Sequence, residues 1–167
     1  MSDSGAIDPT LYRRTLGTYP TGVVIVSADA EDGPVGLAIG SFTSVSLDPP
    51  LVGFLPGKGS TTWPKIETTG AFCVNILAAD QLSVCKAFSS KDGDRYASTP
   101  WRTEVSGAPV IEGVLSWIDC SIEAVEDAGD HWWVTGRVLA LANARDDVGP
   151  LQFFRGAYGD FSPLPSS

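Results

Sequence analysis

Histidine and cysteine are scarce in this sequence, and the shortage excludes several kinds of site. Histidine occurs once, at His131, and no two cysteines form a CxxC pair, so neither a zinc finger nor an HExxH metal site can be assembled. The cysteines, Cys73, Cys85 and Cys120, are odd in number and lie among apolar or small residues. They predict buried free thiols in a reducing compartment rather than a disulfide framework.

Positive charge and long apolar runs are also missing. The chain has 20 acidic residues against 11 basic ones and a formal net charge of −9, whereas nucleic-acid binding depends on basic side chains that neutralise phosphates. No apolar run reaches the roughly 18 to 20 residues of a membrane span, and the opening MSDSGAID lacks the basic and apolar blocks of a signal peptide. We therefore expect a cytoplasmic protein that binds neither nucleic acid nor membrane.

The chain is long enough for one domain with a substantial core. It has 167 residues, of which 43% are hydrophobic and only 19% are charged, and it shows no internal repeat. We expect a single domain over residues 1–167 with its core at about 10–161. The first seven and last six residues are expected to be loose.

Short β-rich segments separated by Gly and Pro dominate the chain. Strands are predicted at 22–27, 35–41, 51–55, 71–77, 114–126, 132–142 and 151–154. Three short helices are predicted, after Asp8, after Ser60 and Thr61, and after Asp80 as the cap of the third. In the strand at 114–126, apolar residues alternate with polar ones, which predicts one solvated or partner-facing side. Sequential strands without βαβ alternation predict a mainly β, antiparallel barrel or sandwich.

The segment 56–62 (PGKGSTT) joins a predicted strand to a predicted helix. It combines the ammonium of Lys58 with the hydroxyls of Ser60, Thr61 and Thr62, an arrangement that suits a phosphate. It is not a nucleotide P-loop, because glycine rather than Ser or Thr follows Lys58. An ordinary capped helix after a turn explains the same residues.

Four hydroxyl residues fall within the seven residues of the segment 40–46 (GSFTSVS), between two apolar strands. Hydroxyls and backbone amides at a strand edge can bind the polar rim of a planar heterocycle while Phe42 covers its face. The alternative is the polar face of a half-exposed strand.

Two further segments carry possible chemistry. His131, in the hairpin sequence GDH, is the one side chain that ordinarily titrates near neutrality, although a surface turn would explain it as well. No GxSxG elbow supports a serine hydrolase built on it.

Near the C-terminus, 153–159 (FFRGAYG) combines aromatic and basic residues, and a final strand with its turn is the simpler explanation. Trp117, Trp132 and Trp133 could stack on a ligand or pack in a core or interface.

Taken in order, six segments resemble the flavin reductase family, whose fold is a flavin-binding split barrel. They are TGVVIVS, GPVGLAIGSFTSVSLDPPLV, GKGSTTWPKI, GAFCVNILAADQ, GDH and FFRGAYG, and the resemblance spans residues 10–161. It is greatest to the small reductase component of two-component aromatic or steroid hydroxylases. The resemblance implies a homodimeric enzyme that reduces FMN or FAD with NADH or NADPH and passes the reduced flavin to a separate oxygenase.

The resemblance also implies roles for individual residues. The implied flavin contacts are Gly40, Ser41, Phe42, Thr43 and Ser44 at the ring and ribityl chain; Lys58, Ser60, Thr61 and Thr62 at the phosphate; Asn75, Ile76 and Leu77 along the ring; and Phe88 and Arg95 toward the ribityl or adenylate side. His131 and Tyr158 match positions near the nicotinamide and are the catalytic candidates. At Gly40 the family frequently has Asn or Ser, so one ring hydrogen bond is missing here or comes from the backbone.

Two other functions fit the same barrel. One is a non-enzymatic flavin-binding or haem-binding module, such as a storage or sensor protein, which would have no nicotinamide site. The other is an oxidase that retains its flavin. Consumption of NADH or NADPH with and without free FMN separates all three functions.

Overall fold

Twelve strands and three short α-helices make up the structure, a computed structural model that describes residues 6–165. The helices are α1 (Pro9–Leu16), α2 (Trp63–Thr69) and α3 (Leu82–Ser89). The strands are β1 (Thr21–Gly22), β2 (Val24–Ala30), β3 (Gly33–Ile39), β4 (Thr43–Ser46), β5 (Leu51–Phe54), β6 (Ala71–Ile76), β7 (Trp101–Thr103), β8 (Pro109–Ile111), β9 (Ser116–Ala128), β10 (His131–Asn143), β11 (Gln152–Phe154) and β12 (Ala157–Gly159). Of the termini expected to be loose, residues 1–5 and 166–167 lie outside the described residues.

Seven strands pair into one antiparallel sheet in the order β3-β2-β6-β9-β10-β5-β4. A three-stranded sheet, β1-β11-β12, and the pair β7-β8 complete the architecture. The prediction of a mainly β, antiparallel fold with three short helices is therefore confirmed. No helix within residues 6–165 is long and apolar enough to cross a membrane.

The central strands of the large sheet are buried on both faces. Alternate residues of β2 point to opposite sides, so Ile25 belongs to one apolar cluster while Val24 and Val26 belong to another. β6 repeats the pattern, with Cys73 in the first cluster and Val74 in the second. The helices cover this sheet, because α2 packs on β2 and α3 packs on β3.

Glycine ends several elements where the sequence predicts an end. Gly70 follows α2 with a left-handed φ of 72°, and Gly129 turns the β9-β10 hairpin with a φ of 73°. The hairpin pairs Ala128 with His131 at its tip and continues to Ser116 and Asn143. This turn fixes the position of His131 at the first residue of β10.

The prediction that Asp80 caps the third helix is wrong. A short 3₁₀ turn, Ala79–Gln81, precedes α3, and the side-chain oxygen of Gln81 accepts from the Ala78 backbone N–H at 3.1 Å. The carboxylate of Asp80 instead binds the Arg145 guanidinium, with Nη2 at 2.9 Å from Oδ2. An ion pair with a distant residue thus determines the position of this side chain.

The expected solvated side of the strand at 114–126 is wrong for its first half. Trp117 and Asp119, which belong to that side, are buried. The Asp119 carboxylate accepts from the backbone N–H of Ser106 at 2.7 Å and from the Ser106 hydroxyl. The chain before β8 covers this face, which periodicity within one strand cannot reveal. β7 and β8 themselves are short and were not expected from the sequence.

Candidate active site

The candidate site lies along the outer edge of β3. β3 is an edge strand of the large sheet and pairs only with β2, which leaves outward backbone groups available for other partners. Two of these carbonyl groups accept hydrogen bonds from side chains. Tyr96 Oη donates to the Val35 carbonyl at 2.9 Å, and Arg95 Nη1 donates to the Gly36 carbonyl at 2.5 Å. Residues 37–41 follow and line an open cavity.

We call this cavity the β3 groove. Its volume is about 490 Å³, and its lining consists of Leu37, Ala38, Ile39, Gly40, Ser41, Leu55, Gly57 and His131. Ser41 links two segments of the lining, because its Oγ accepts from the Leu55 N–H at 3.0 Å and donates to the Leu55 carbonyl at 3.3 Å. The predicted ring contacts Gly40 and Ser41 therefore lie in the same cavity as His131.

Backbone pairing holds His131 beside this groove. Gly57 forms a β-bridge with His131, and the N–H of Lys58 donates to the Asp130 carbonyl at 2.9 Å. The imidazole Nδ1 lies 2.7 Å from Asp130 Oδ1, and this hydrogen bond lowers the pKa of the Asp130 carboxyl. Because a carboxylate only accepts, Nδ1 carries the proton, which leaves Nε2 for another partner.

A second cavity, the Tyr158 cleft, shares Ala38, Ile39 and Gly40 with the β3 groove. Its volume is about 190 Å³, and its other lining residues are Thr21, Val23, Cys85, Ser89, Phe153 and Tyr158. Tyr158 Oη lies within hydrogen-bond distance of Cys85 Sγ, at 3.5 Å, and the neighbouring Cys85 raises the pKa of the phenol. His131 and Tyr158 thus border two cavities that meet along Ala38 and Ile39 at the end of β3 and along Gly40, the next residue.

The other end of β3 borders a cationic cavity, the Arg95 pocket. Its volume is about 300 Å³, and it is lined by Pro34, Val35, Gly36, Thr61, Thr62, Lys65, Lys91, Gly93, Asp94, Arg95 and Tyr96. The Arg95 guanidinium is fixed by the Gly36 carbonyl, by Thr62 Oγ1 at 3.0 Å and by the Ser90 carbonyl at 3.0 Å. A fixed guanidinium with two ammonium groups and two hydroxyls is a donor set that fits a phosphate.

The residues predicted to bind the phosphate, within 58–62, do not all line one cavity. Thr61 and Thr62 line the Arg95 pocket, but the Lys58 ammonium pairs with Asp127 and lies 4.7 Å from the centroid of the Trp132 ring. Ser60 acts as a helix cap, because its Oγ accepts from the N–H of Thr62 at 3.2 Å and of Trp63 at 3.1 Å. The Lys58 ammonium and the Ser60 hydroxyl are therefore already bonded to other groups of the protein.

Sequence reasoning missed Lys65 and Lys91, which supply the other two cations of the Arg95 pocket. Lys65 lies three residues after Thr62, so helical spacing could have placed it on the same side of α2. Lys91 lies in an irregular loop and carries no such signal.

Three other predicted flavin contacts lie inside the protein. Asn75, Leu77 and Phe88 have at most 2% of their surface exposed. Asn75 is fully hydrogen-bonded in the core: Nδ2 donates to Ser27 Oγ at 2.9 Å, and Oδ1 accepts from the Ile111 N–H at 2.7 Å. The Phe88 ring supports β3 from beneath, since a Cβ added at Gly36 would lie 2.7 Å from it. The structure does not bring these three side chains into the β3 groove.

The remaining predicted contacts lie near the groove. Phe42 and Ile76 line a small cavity of about 190 Å³ that also reaches Gly40. Thr43 and Ser44 are exposed on β4, where Thr43 Oγ1 donates to the Ser44 carbonyl at 3.2 Å.

Comparison with known proteins shows which family this chain resembles. Residues 16–162 match the family model described as "Flavin reductase like domain". A flavin reductase of Pseudomonas putida is 52% identical over 95% of this chain and 94% of its own length. HsaB of Rhodococcus jostii, the reductase subunit of a flavin-dependent monooxygenase, is 46% identical over 95% of this chain and 80% of its own length.

A solved structure gives the same result for the fold. Nitrilotriacetate monooxygenase component B from Mycobacterium thermoresistibile superposes with a TM-score of 0.92 at 44% identity, covering 96% of this chain and 90% of that protein. The split-barrel fold expected from the sequence is thereby confirmed.

Proposed function

This chain belongs to the flavin reductase family, and from that premise we propose that its active centre is the β3 groove, where NADH or NADPH reduces FMN or FAD. One observation carries the proposal. Gly40 and Ser41 share the groove with His131, while the same strand continues into the cationic Arg95 pocket. An open cavity for a ring and a cationic pocket for its phosphate therefore lie along one strand.

A bound flavin supplies the ring that accepts the hydride, and the chain binds and orients both reactants. Arg95, Lys65 and Lys91, with Thr61 and Thr62, would hold the flavin phosphate. Backbone groups along 37–41 would bind the ring edge, which agrees with the absence of a side chain at Gly40. A Cβ at that position would lie 3.2 Å from Thr21 Oγ1, so glycine also avoids a tight contact with this residue of the Tyr158 cleft.

His131 and Tyr158 would orient the nicotinamide. The Asp130 carboxylate fixes the imidazole through Nδ1, and Cys85 fixes the phenol through its oxygen. Both side chains are partly exposed at the borders of the groove and the cleft, where a second ring would enter. Hydride transfer needs two rings held in contact rather than covalent participation by the protein, so positioning is the expected contribution of both residues.

The reduced flavin is then released to a separate monooxygenase component. This role is the one named for relatives such as HsaB, which is the reductase subunit of a monooxygenase. The openness of the β3 groove to solvent supports release, because no described element closes over residues 37–41 within residues 6–165.

A homodimer is part of the proposal. α1 buries none of its residues, and it exposes about half of Leu11, Tyr12 and Leu16 on one side. Leu139 and Leu141 on β10 are also exposed, at 45% and 61%. Exposed apolar residues of this kind are typical of an interface, here with a second copy. The three free cysteines fit the cytoplasm, where thiols stay reduced.

The test measures consumption of NADH and of NADPH by the purified protein, with and without added FMN or FAD. We expect consumption that depends on added flavin and saturates with it. No consumption under any condition would indicate a flavin-binding module, and consumption without added flavin would indicate an enzyme that retains its flavin.

A further inference from the structure

Three arginines from opposite ends of the chain converge on one cavity outside the proposed flavin site. Arg13 and Arg14 lie in the last turn of α1, and Arg155 lies at the tip of the β11-β12 hairpin. With Phe153 they line a cavity of about 680 Å³, which we call the arginine pocket. The N–H of Arg155 donates to the Gly17 carbonyl at 3.0 Å and so holds the hairpin against the end of α1.

The charge of this pocket is not balanced by the protein. Within residues 6–165, none of its arginines forms an ion pair with a carboxylate. Three other arginines do so: Arg102, Arg137 and Arg145. The C-terminal end of α1 carries only about half a negative charge, so three guanidinium groups leave a surplus of roughly two and a half positive charges. In a chain of net charge −9, such a surplus indicates an anionic ligand.

The arginine pocket adjoins the cavities of the proposed reaction centre through shared lining residues. Phe153 lines both the arginine pocket and the Tyr158 cleft, and its ring lies 5.1 Å from that of Tyr158. The Tyr158 cleft in turn shares Ala38–Gly40 with the β3 groove. An elongated molecule could therefore place one end beside Tyr158 and its anionic middle on the arginines.

We propose that the arginine pocket binds the pyrophosphate of NADH or NADPH, with the nicotinamide reaching the β3 groove through the Tyr158 cleft. This inference rests on the proposed function. Arginine suits the ligand because its planar guanidinium forms paired hydrogen bonds with phosphate oxygens. The flavin phosphate already has the Arg95 pocket, on the opposite side of the reaction centre along β3. Two separate cationic pockets thus correspond to two phosphate-bearing reactants.

A second copy of the chain is a weaker candidate for this pocket. At 100° per residue, Leu11, Tyr12 and Leu16, which a partner copy would cover, span about 140° of α1, and Arg13 and Arg14 lie about 60° beyond its two ends. A partner copy paired through the apolar face would leave the two arginines at its rim.

The test compares wild type with Arg13→Gln/Arg14→Gln and with Arg155→Gln. Lys86→Gln is the matched control, because Lys86 is exposed on α3 and lines none of the described cavities. Four quantities are measured for each: the Kd of NAD⁺ for flavin-free protein by calorimetry, the KM for NADH and NADPH, the Kd of FMN and FAD, and the association state. We expect the NAD⁺ Kd and the KM values to rise about tenfold or more in the arginine variants, with FMN affinity unchanged. High salt should raise the wild-type KM more than that of the double variant.

Several results would overturn the inference, and each is distinguishable from failure of the proposed function. Unchanged NAD⁺ Kd and KM values in a wild type that reduces flavin would reject the arginine pocket alone. A loss of FAD affinity without loss of NAD⁺ affinity would assign the arginines to the flavin pyrophosphate, and a change in association state alone would assign them to a second copy. A wild type that neither turns over nor binds NAD⁺ would reject both proposals.

Discussion

Polar side chains at the centre of the large sheet differ from those along β3 in what they contact. In the centre, Asn75 and Asp119 are fully buried and their polar atoms bind other parts of the protein. Along β3, Ser41 and His131 at the groove and Arg95 at its own pocket are anchored by one set of bonds but still border open space. The first group joins strands to each other, and the second group can bind a ligand.

The two groups differ in burial, and we infer that the partly exposed group is the one that binds a ligand. A buried polar group without a partner costs about 1 to 3 kcal/mol, and the polar atoms of Asn75 and Asp119 avoid this cost by pairing within the protein. A partly exposed group can exchange a water for a ligand at little cost. Substitutions in the two regions should therefore change different quantities.

The largest effect is expected for Asn75→Ala. Its amide joins Ser27 to the Ile111 backbone, so its removal leaves several buried groups unpaired. We expect the free energy of unfolding to fall by about 3 kcal/mol or more, measured by urea denaturation. The FMN Kd of the folded fraction should be unchanged. A loss of FMN affinity at unchanged stability would instead indicate that Asn75 contacts the flavin.

The next largest effect is expected for Arg95→Gln, which removes the fixed guanidinium of the Arg95 pocket. We expect the Kd of FMN to rise about 10- to 100-fold, as for the loss of charged hydrogen bonds, with a much smaller change in stability. Flavin fluorescence titration measures the Kd, and Lys86→Gln controls for the change in net charge. Equal affinities in the two variants would contradict the assignment of the phosphate.

A moderate effect is expected for His131→Ala, which removes a positioning group but no phosphate contact. The KM for NADH should rise about tenfold while the Kd of FMN stays constant, measured by steady-state kinetics and titration. Asp130→Asn keeps an oxygen acceptor for Nδ1 and should have a smaller effect. If the Kd of FMN rose instead of the KM, His131 would belong to the flavin side of the groove.

The smallest effect on binding is expected for Lys58→Ala, because Asp127 already pairs with the ammonium group. The Kd of FMN should change by about twofold or less, whereas the cradle predicted from the sequence requires a large rise.

The same pair has a pH signature. Lys58 holds the pKa of the Asp127 carboxyl below its usual value, so the pair stabilises the fold at neutral pH and ceases to do so as pH falls through that lowered pKa. The stability difference between wild type and Lys58→Ala should therefore disappear in acid, as urea denaturation at several pH values would show. A difference that persisted in acid would contradict the ion pair.

Most of the fold was predictable because local signals agreed with the tertiary structure. α1 begins after its Asp8 cap, whose carboxylate accepts from the Thr10 N–H at 2.9 Å, and the β9-β10 hairpin turns at its glycine. The wrong predictions concern side chains whose environment is set by residues that are distant in the sequence. Arg145 binds Asp80, and the chain before β8 buries Asp119. Neither interaction is visible in a local pattern.

The site was predictable to a smaller extent. The resemblance indicated Ser41, Arg95 and His131, and the structure gives each a place beside an open cavity. It also indicated Asn75, whose environment depends on β8, a strand that the sequence did not predict. The arginine pocket joins residue 13 to residue 155 and could emerge only from the folded chain.

The most direct test of the central claim is a crystal structure of the protein with FMN. The ring should lie against residues 37–41 beside His131, with its phosphate within hydrogen-bond distance of Arg95 and Thr62. Density for the phosphate on Lys58, or a ring bound elsewhere with the β3 groove filled only by water, would contradict it.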